Sequence, residues 1–444
     1  MDHPVDADTL AGMDSGRWHL PAAQGPVRAR LRLPGSKSIT NRALVLAALS
    51  DSPSVIRGPL KARDTSLAVA ALRVLGCSID SRGTDLAVSP GSIGSGTSVT
   101  ADVGNAGTVM RFLPAVAALS RASVAFDGDP RARERPVGVL LGALRALGTV
   151  IDDDGRGCLP FTVHGTGSVR GGLVTLDASG SSQFISGLLL AAPRFDLGVE
   201  VRHEGPPVPS LPHIEMTVRM LAGAGAEVEA GGGSRPTTWR VRPGRLGLGD
   251  FTVEPDLSNA GPFLAAALVT GGRVTVLDWP AGSLQAADAI LDVLTRMGAS
   301  CSRGADGLTV TGSGVINGIE ADLRDIPELC LPLTSVAALA SGPSVFTGVG
   351  HTRAQETDRL AAIAKEINAL GGDVTELPDG LSVRPRPLRP GGQPFESYDD
   401  HRMVMAAAVL GLAVPGIEVQ NVATVGKTFP DFTALWETLV RGDA

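Results

Sequence analysis

The sequence predicts an α/β (α+β) protein of two domains, each built from three βαβαββ-type units. Three observations lead there. A polar turn opening a small-residue apolar helix recurs six times, at intervals of about 68 to 77 residues. Short strand-like stretches alternate with helical stretches of about ten residues. At 444 residues the chain also exceeds what one core usually fills. The domains expected are 34–253 and, discontinuously, 1–33 plus 254–444.

The six turns are Pro34-Gly35-Ser36-Lys37-Ser38, Gly104-Asn105-Ala106-Gly107-Thr108, Ser181-Ser182-Gln183, Asp256-Leu257-Ser258-Asn259, Asp325-Ile326-Pro327-Glu328 and Asp399-Asp400-His401-Arg402. Each carries residues that cap helix N-termini. A second helix follows in the unit and ends in glycine, at Leu75-Gly76, Leu147-Gly148, Ala224-Gly225, Met297-Gly298 and Leu370-Gly371. Glycine there suits the left-handed residue that closes a helix. Helices are expected at 67–75, 137–147, 214–221, 286–297 and 358–370. Strands are expected at 27–33, 124–127, 173–176, 199–203, 239–241 and 274–277. The strand at 27–33 precedes the first turn and is expected to complete the sixth unit. Chain crossings near 33–34 and 250–255 then form a hinge between the domains. Residues 1–24 are polar, without an apolar core or an arginine-rich pattern, and read as a flexible tail, neither signal nor transit peptide.

Composition excludes several classes. A net charge of -7 argues against nucleic-acid binding, which calls for a basic surface. No apolar run approaches the ~20 residues of a spanning helix. Hydrophobic residues make up 43% and aromatics only 4%, so helices must pack through Ala, Leu, Val and Gly. Cys77, Cys158, Cys301 and Cys330 are scattered, without a C-x-x-C pair or a histidine cluster at ligand spacing. Neither a metal site nor a disulfide framework is expected, and reduced thiols point to the cytoplasm.

Charges gather at the turns. Helix N-termini present unpaired N–H groups and a partial positive charge, and Lys37, Arg42, Arg111, Arg131, Arg359, Arg402 and Lys427 stand near them. A ligand carrying phosphate, carboxylate or both follows. The alternative for any one turn is a plain helix cap. Only four lysines, Lys37, Lys61, Lys365 and Lys427, occur among the 39 basic residues. Two of those four fall in polar turns, where an ammonium can do what a guanidinium cannot: lose a proton.

Leu33-Pro34-Gly35-Ser36-Lys37-Ser38-Ile39-Thr40-Asn41-Arg42-Ala43-Leu44 closely resembles the N-terminal signature of the EPSP synthase family of enolpyruvyl transferases. So do, in order, Gly104 to Thr108, Asp129-Pro130-Arg131 with Glu134-Arg135-Pro136, Ser181-Ser182-Gln183-Phe184, Glu356-Thr357-Asp358-Arg359-Leu360, Asp400-His401-Arg402-Met403 and Lys427-Thr428-Phe429-Pro430-Asp431. The resemblance runs from about Val27 to about Leu439. It implies the enolpyruvyl-transferase-like two-domain fold with a cleft between the domains. It also implies transfer of the enolpyruvyl group of phosphoenolpyruvate to the 5-hydroxyl of shikimate 3-phosphate, without metal or cofactor; a monomer is expected.

By resemblance, Lys37, Gly107, Arg131, Gln183, Arg359, Arg402 and Lys427 contact phosphoenolpyruvate. Lys37, Ser38, Arg42, Ser181, Ser182, Gln183, Ser210, Glu328 and Gln355 contact shikimate 3-phosphate. Glu328 is expected as the base at the 5-hydroxyl, Glu356 as the acid serving the methylene carbon, and Lys37 as the group assisting the departing phosphate. Glycine at 107 suits close backbone approach to a phosphate. Alone, Glu356 reads as a first-turn acid favoured by the helix dipole and Glu328 as a surface acid. The chain departs from the family at Phe112, His213, Glu328 and Gln355, which bears on the acceptor pocket and on glyphosate sensitivity. For His213 and His401 the preferred readings are hydrogen bonding or stacking and packing.

Three alternatives bear weighing. The sister transferase acting on UDP-N-acetylglucosamine usually carries a reactive cysteine before an R-P-V segment, and Asp127 to Glu134 contains none. A P-loop phosphotransferase requires G-x-x-x-x-G-K-[ST], which Gly35-Ser36-Lys37-Ser38 lacks. A non-catalytic anion-binding scaffold is separable by binding without turnover.

Overall fold

The six polar turns open six buried helices. In a computed structural model, which describes residues 16–91 and 96–442, the chain forms two compact units. One is Pro34–Glu254; the other joins the described residues up to Leu33 to those from Pro255 onward. The 34–254 unit contains α1 (Lys37–Ala48), α2 (Arg63–Val74), α3 (Gly107–Ala118), α4 (Gly138–Ala146), α5 (Gln183–Ala191) and α6 (Leu211–Gly223). The other contains α7 (Leu257–Thr270), α8 (Ala287–Arg296), α9 (Cys330–Ala338), α10 (Arg359–Ala369), α11 (His401–Gly411) and α12 (Phe432–Arg441).

Odd- and even-numbered helices differ as their sequences require. α3, α9 and α11 are buried along their whole length, and α1, α5 and α7 nearly so. A helix that is small and apolar on all sides belongs inside a core. α2, α4, α6, α8, α10 and α12 keep a polar face, and α4 buries only Leu140, Leu141, Ala143 and Leu144. Central helices in an aromatic-poor chain must pack closely. A Cβ on Gly187 of α5 would stand 2.2 Å from the Arg111 carbonyl oxygen of α3, so only glycine permits that approach.

The second helix of each of the first five repeats stops at the expected glycine. Gly76, Gly148, Gly225, Gly298 and Gly371 all have left-handed φ, between 88° and 110°. After α2, for example, Cys77 N–H returns to Leu72 O at 3.1 Å and Gly76 N–H to Arg73 O at 2.9 Å, the bonding that satisfies orphaned carbonyls.

Each of these repeats contributes to a four-stranded sheet with one parallel pair and two antiparallel ones. In the third, Gly172–Leu176 runs parallel to Val199–His203, which pairs antiparallel with Thr238–Val241, itself antiparallel to Val228–Gly231. Two sheets borrow a strand from elsewhere in the chain. Asp250–Thr252, at the end of the 34–254 unit, pairs parallel with Ser54–Arg57 of the first repeat. Arg28–Leu31 pairs parallel with Arg273–Leu277. This corrects one expectation: the strand before the first turn completes the fourth repeat, not the sixth.

The sixth repeat is completed by residues read as tail. Arg17–His19 pairs antiparallel with Glu418–Gln420, and Phe395 bridges Val419 on its other side. Trp18 is 1% exposed, meets Phe432 edge-on at 6.1 Å, and donates its indole N–H to Glu437 at 3.2 Å. The flexible-tail reading therefore fails for residues 16–24; its remainder, 1–15, lies outside the described residues. A three-residue strand among polar neighbours leaves no periodicity to detect. Among the described residues no helix is long and apolar enough to cross a membrane.

Candidate active site

In the 34–254 unit the N-terminal turns of α1, α3 and α5 are bonded to one another. Asn41 of α1 donates to the Thr108 hydroxyl of α3 at 2.6 Å. Arg111 of α3 donates to Gln183 Oε1 of α5 at 3.0 Å. Three helix N-termini thus stand together and add their partial positive charges. Lys37, the first residue of α1, extends its ammonium to Asp64 Oδ2 at 3.3 Å, with Asp64 2% exposed in the first turn of α2. Sequence reading missed Asp64. Its one visible signal was an acid placed, without an evident partner, in a first helical turn.

Gly107 opens α3. A Cβ there would meet Arg135 Nη2 at 2.7 Å and Arg111 Nη1 at 3.0 Å, so two guanidinium groups lie directly over this turn. Arg135, 5% exposed, is tethered by Nη1 to the Asn105 carbonyl at 2.9 Å and side chain at 2.8 Å. Arg111, also 5% exposed, reaches Pro136 O at 3.1 Å and lies over the Phe184 ring at 5.4 Å. Arg131 sits on a 3-10 turn, Pro130–Glu134, and pairs with Glu134.

Ser181 and Ser182 precede α5; Ser181 Oγ accepts from Gln183 N–H at 3.2 Å, and Ser182 is 4% exposed. Ser210, before α6, has a left-handed backbone with φ 52°, a conformation serine rarely takes. Ser38 is half-buried and its carbonyl accepts from Arg42 at 2.9 Å.

Arg42 is the residue whose surroundings differ most from expectation. It is 1% exposed and lies over the Phe112 ring at 5.1 Å. Its guanidinium donates to Thr217 Oγ1 at 2.7 Å, Ser186 Oγ at 3.3 Å, and the carbonyls of Ser38 and His213, both at 2.9 Å. In this conformation it binds α1 to α5 and α6. Phe112 and the His213 main chain belong to the same network.

In the other unit a second group of buried charges forms. Arg359, first residue of α10 and 4% exposed, donates from Nε and Nη2 to Asp400 at 2.7 and 3.2 Å, and from Nη2 to Glu356 at 3.0 Å. Nη1 reaches Gln355. Burial opposes its charge, but Asp400 and Glu356 outweigh that, so its pKa is raised. Glu356 spends its other oxygen on Lys427 Nζ, at 2.6 Å, with both side chains 7% exposed.

Asp400, wholly buried, caps α11 by accepting from Arg402 N–H at 2.8 Å. His401 is 1% exposed and its Nδ1 lies 3.5 Å from Asp400, a packed position. Arg402 is 5% exposed; Nη1 donates to Ser258 O at 2.8 Å, and among the described residues no carboxylate forms an ion pair with it. Burial lowers its pKa, with Arg359 acting in the same direction against Asp256 and Glu328. A buried guanidinium in that state is stabilised by an incoming anion.

Glu328 lies half-buried in the 3-10 turn Pro327–Leu329 ahead of α9, and its charge is felt by Arg359, Arg402 and His351. Burial lowers the His351 pKa, with Glu328 opposing. Glu356 was expected to need burial, or a neighbouring carboxylate, to hold a proton. It has the burial, and Arg359 and Lys427 bond its two oxygens.

The family model described as EPSP synthase (3-phosphoshikimate 1-carboxyvinyltransferase) matches residues 21–436. The chain belongs to the EPSP synthase family. It is 49% identical to the 3-phosphoshikimate 1-carboxyvinyltransferase of Kocuria rhizophila, over 96% of this chain and 97% of that protein. Two structures of EPSP synthase from Acinetobacter baumannii share the fold. One superposes with a TM-score of 0.79 over 95% of this chain and 98% of its own, the other with 0.77 over 95% and 97%, each at 24% identity.

Proposed function

We propose that the chain transfers the enolpyruvyl group of phosphoenolpyruvate to the 5-hydroxyl of shikimate 3-phosphate, forming 5-enolpyruvylshikimate 3-phosphate and phosphate on the route to chorismate. Family membership supports the reaction. The observation that carries the residue assignment is the buried set of Arg359, Arg402 and Lys427, in which Arg402 has no carboxylate ion-pair partner among the described residues and Lys427 bonds Glu356 at 2.6 Å.

Phosphoenolpyruvate is assigned to Lys37, Gly107, Arg131, Gln183, Arg359, Arg402 and Lys427. Shikimate 3-phosphate is assigned to Lys37, Ser38, Arg42, Ser181, Ser182, Gln183, Ser210, Glu328 and Gln355. In the addition step Glu328 takes the 5-hydroxyl proton, the oxygen bonds to C2 of phosphoenolpyruvate, and C3 receives a proton from the Glu356–Lys427 pair. In elimination C3 returns a proton to that pair, the C2–O bond to phosphate breaks, and Lys37, oriented by Asp64, stabilises the leaving phosphate. The two proton transfers at C3 cancel, and the hydroxyl proton leaves with phosphate. The same reading has the enzyme act as a cytoplasmic monomer without nucleic-acid or membrane partners, in keeping with its net charge of -7.

The test is phosphate release from phosphoenolpyruvate in EDTA, with shikimate 3-phosphate or UDP-N-acetylglucosamine as acceptor. Release with shikimate 3-phosphate alone is expected. Release only with the sugar nucleotide overturns the acceptor, and release with neither overturns the reaction.

A further inference from the structure

The segment 396–400, immediately before α11, holds an arrangement that the reaction itself does not use. Tyr398 and Asp399 both have left-handed backbones, with φ 53° and 55°. Residues with a Cβ rarely adopt that conformation, and two in succession need to be held there. Tyr398, the one tyrosine of the chain, donates its hydroxyl to Glu366 Oε1 at 2.6 Å. The other oxygen of Glu366 accepts from Glu396 N–H at 3.1 Å, and Glu396 Oε1 accepts from Tyr398 N–H at 3.1 Å. Lys365 places its ammonium over the Tyr398 ring at 5.4 Å. From the opposite side Asn421 bonds the Asp399 carboxylate, and the Thr424 hydroxyl donates to Asp399 O at 2.8 Å.

These contacts join the elements that carry the buried cations. Glu366, 7% exposed, follows Arg359 by two turns on α10, which brings the two onto one helix face. α10 therefore makes two rungs to the segment, Arg359 to Asp400 and Glu366 to Tyr398. Thr424 belongs to the 3-10 turn Val422–Lys427, whose last residue is Lys427. A buried acid in mid-helix with no part in proton transfer is accounted for if its task is to hold this segment.

We infer that Tyr398 is a positioning residue of the anion site: its hydroxyl, through Glu366, holds the left-handed pair 398–399 and so sets where Asp400 meets Arg359 and where Lys427 stands. The inference rests on the assignment of Arg359, Arg402 and Lys427 to phosphoenolpyruvate. Burial and the Glu366 carboxylate raise the phenol pKa, so the hydroxyl stays protonated and donating at any working pH.

Tyr398→Phe keeps the ring under Lys365 and removes the donor. Steady-state kinetics should show KM for phosphoenolpyruvate raised about tenfold, with KM for shikimate 3-phosphate within roughly twofold of wild type. A merely structural role predicts fewer active molecules, hence lower kcat with both KM values unchanged. That result, or unchanged kinetics, overturns the inference. Absence of turnover in the wild-type enzyme would instead overturn the assigned reaction. Should Tyr398→Phe not fold, wild-type protein labelled with [13Cζ]tyrosine gives a single resonance to follow. It should shift on saturation with phosphoenolpyruvate alone, and a resonance that does not move refutes the coupling.

Discussion

Replacing Glu356 by Gln removes one negative charge from between two cations while keeping shape and volume. At the observed separations of 2.6 Å to Lys427 and 3.0 Å to Arg359, an effective dielectric of 20 gives gross attractions of roughly 6 and 5.5 kcal/mol. Desolvation offsets much of this, and breaking buried pairs costs about 3–5 kcal/mol. The amide oxygen can still accept from one cation, but its NH2 group then faces the other, so a cost near the lower end, about 3 kcal/mol, is expected. An incoming phosphate or carboxylate supplies the missing charge, so phosphoenolpyruvate affinity should hold or improve. Turnover should fall about 10²- to 10⁴-fold, the range for losing a general acid–base group. Equilibrium binding of phosphoenolpyruvate in the presence of shikimate 3-phosphate, single-turnover rates and thermal melting separate the three effects. Normal turnover with weakened binding would show that Glu356 organises the cations and carries no proton.

Three further outcomes are expected. Gly107→Ala places a methyl group 2.7 Å from Arg135 Nη2 and 3.0 Å from Arg111 Nη1, so the tethered guanidinium groups must shift and KM for phosphoenolpyruvate should rise about tenfold; an unchanged KM would separate that turn from the donor. Trp18→Ala should cost about 3–5 kcal/mol, measurable by denaturant unfolding, and a loss below ~1 kcal/mol would show that the 17–19 strand is dispensable. The hydroxyl and N–H of Ser179 hold the Asp177 carboxyl below its usual pKa. With the folded value below the unfolded one, its stabilising contribution is complete above the unfolded value and is lost as pH falls through the folded one. Melting curves of wild type and Asp177→Asn should therefore differ at neutral pH and converge below about pH 4; a gap that persists at low pH contradicts the assignment.

The fold was legible where it is local and repeated. Each of the six polar turns opens a buried helix because small-residue composition is a property of a few adjacent positions; the expected side-chain caps form at Ser36, Asp256 and Asp400, whereas α3, α5 and α9 start without one. The glycines after Leu75 and Met297 could be placed for the same reason. What escaped depends on partners far along the chain. Asp64 serves Lys37 from 27 positions away. Arg42 stands in a motif that reads the same whether its donors face a ligand or, as here, Thr217 and the His213 carbonyl. Trp18 looked like part of a polar tail because nothing near it reveals Val419 as its neighbour. The borrowed strand at 28–31 was assigned to the wrong repeat for the same reason: pairing between distant strands has no local signature.

Those borrowed strands also govern the order in which the protein can be completed during synthesis. Trp18 and its register partner Val419 are made about 400 residues apart, which at ~5–20 residues per second is roughly 20–80 s. Of the segment 17–31, strand 28–31 waits for Arg273–Leu277, about 245 residues later, and only strand 17–19 waits for the whole interval. The 34–254 unit, whose last borrowed strand is Asp250–Thr252, can close much earlier. A nascent chain halted near residue 300 should therefore carry one protease-resistant unit and a cleavable amino-terminal arm, and the 17–19 part of that arm should become protected only after release of the full chain.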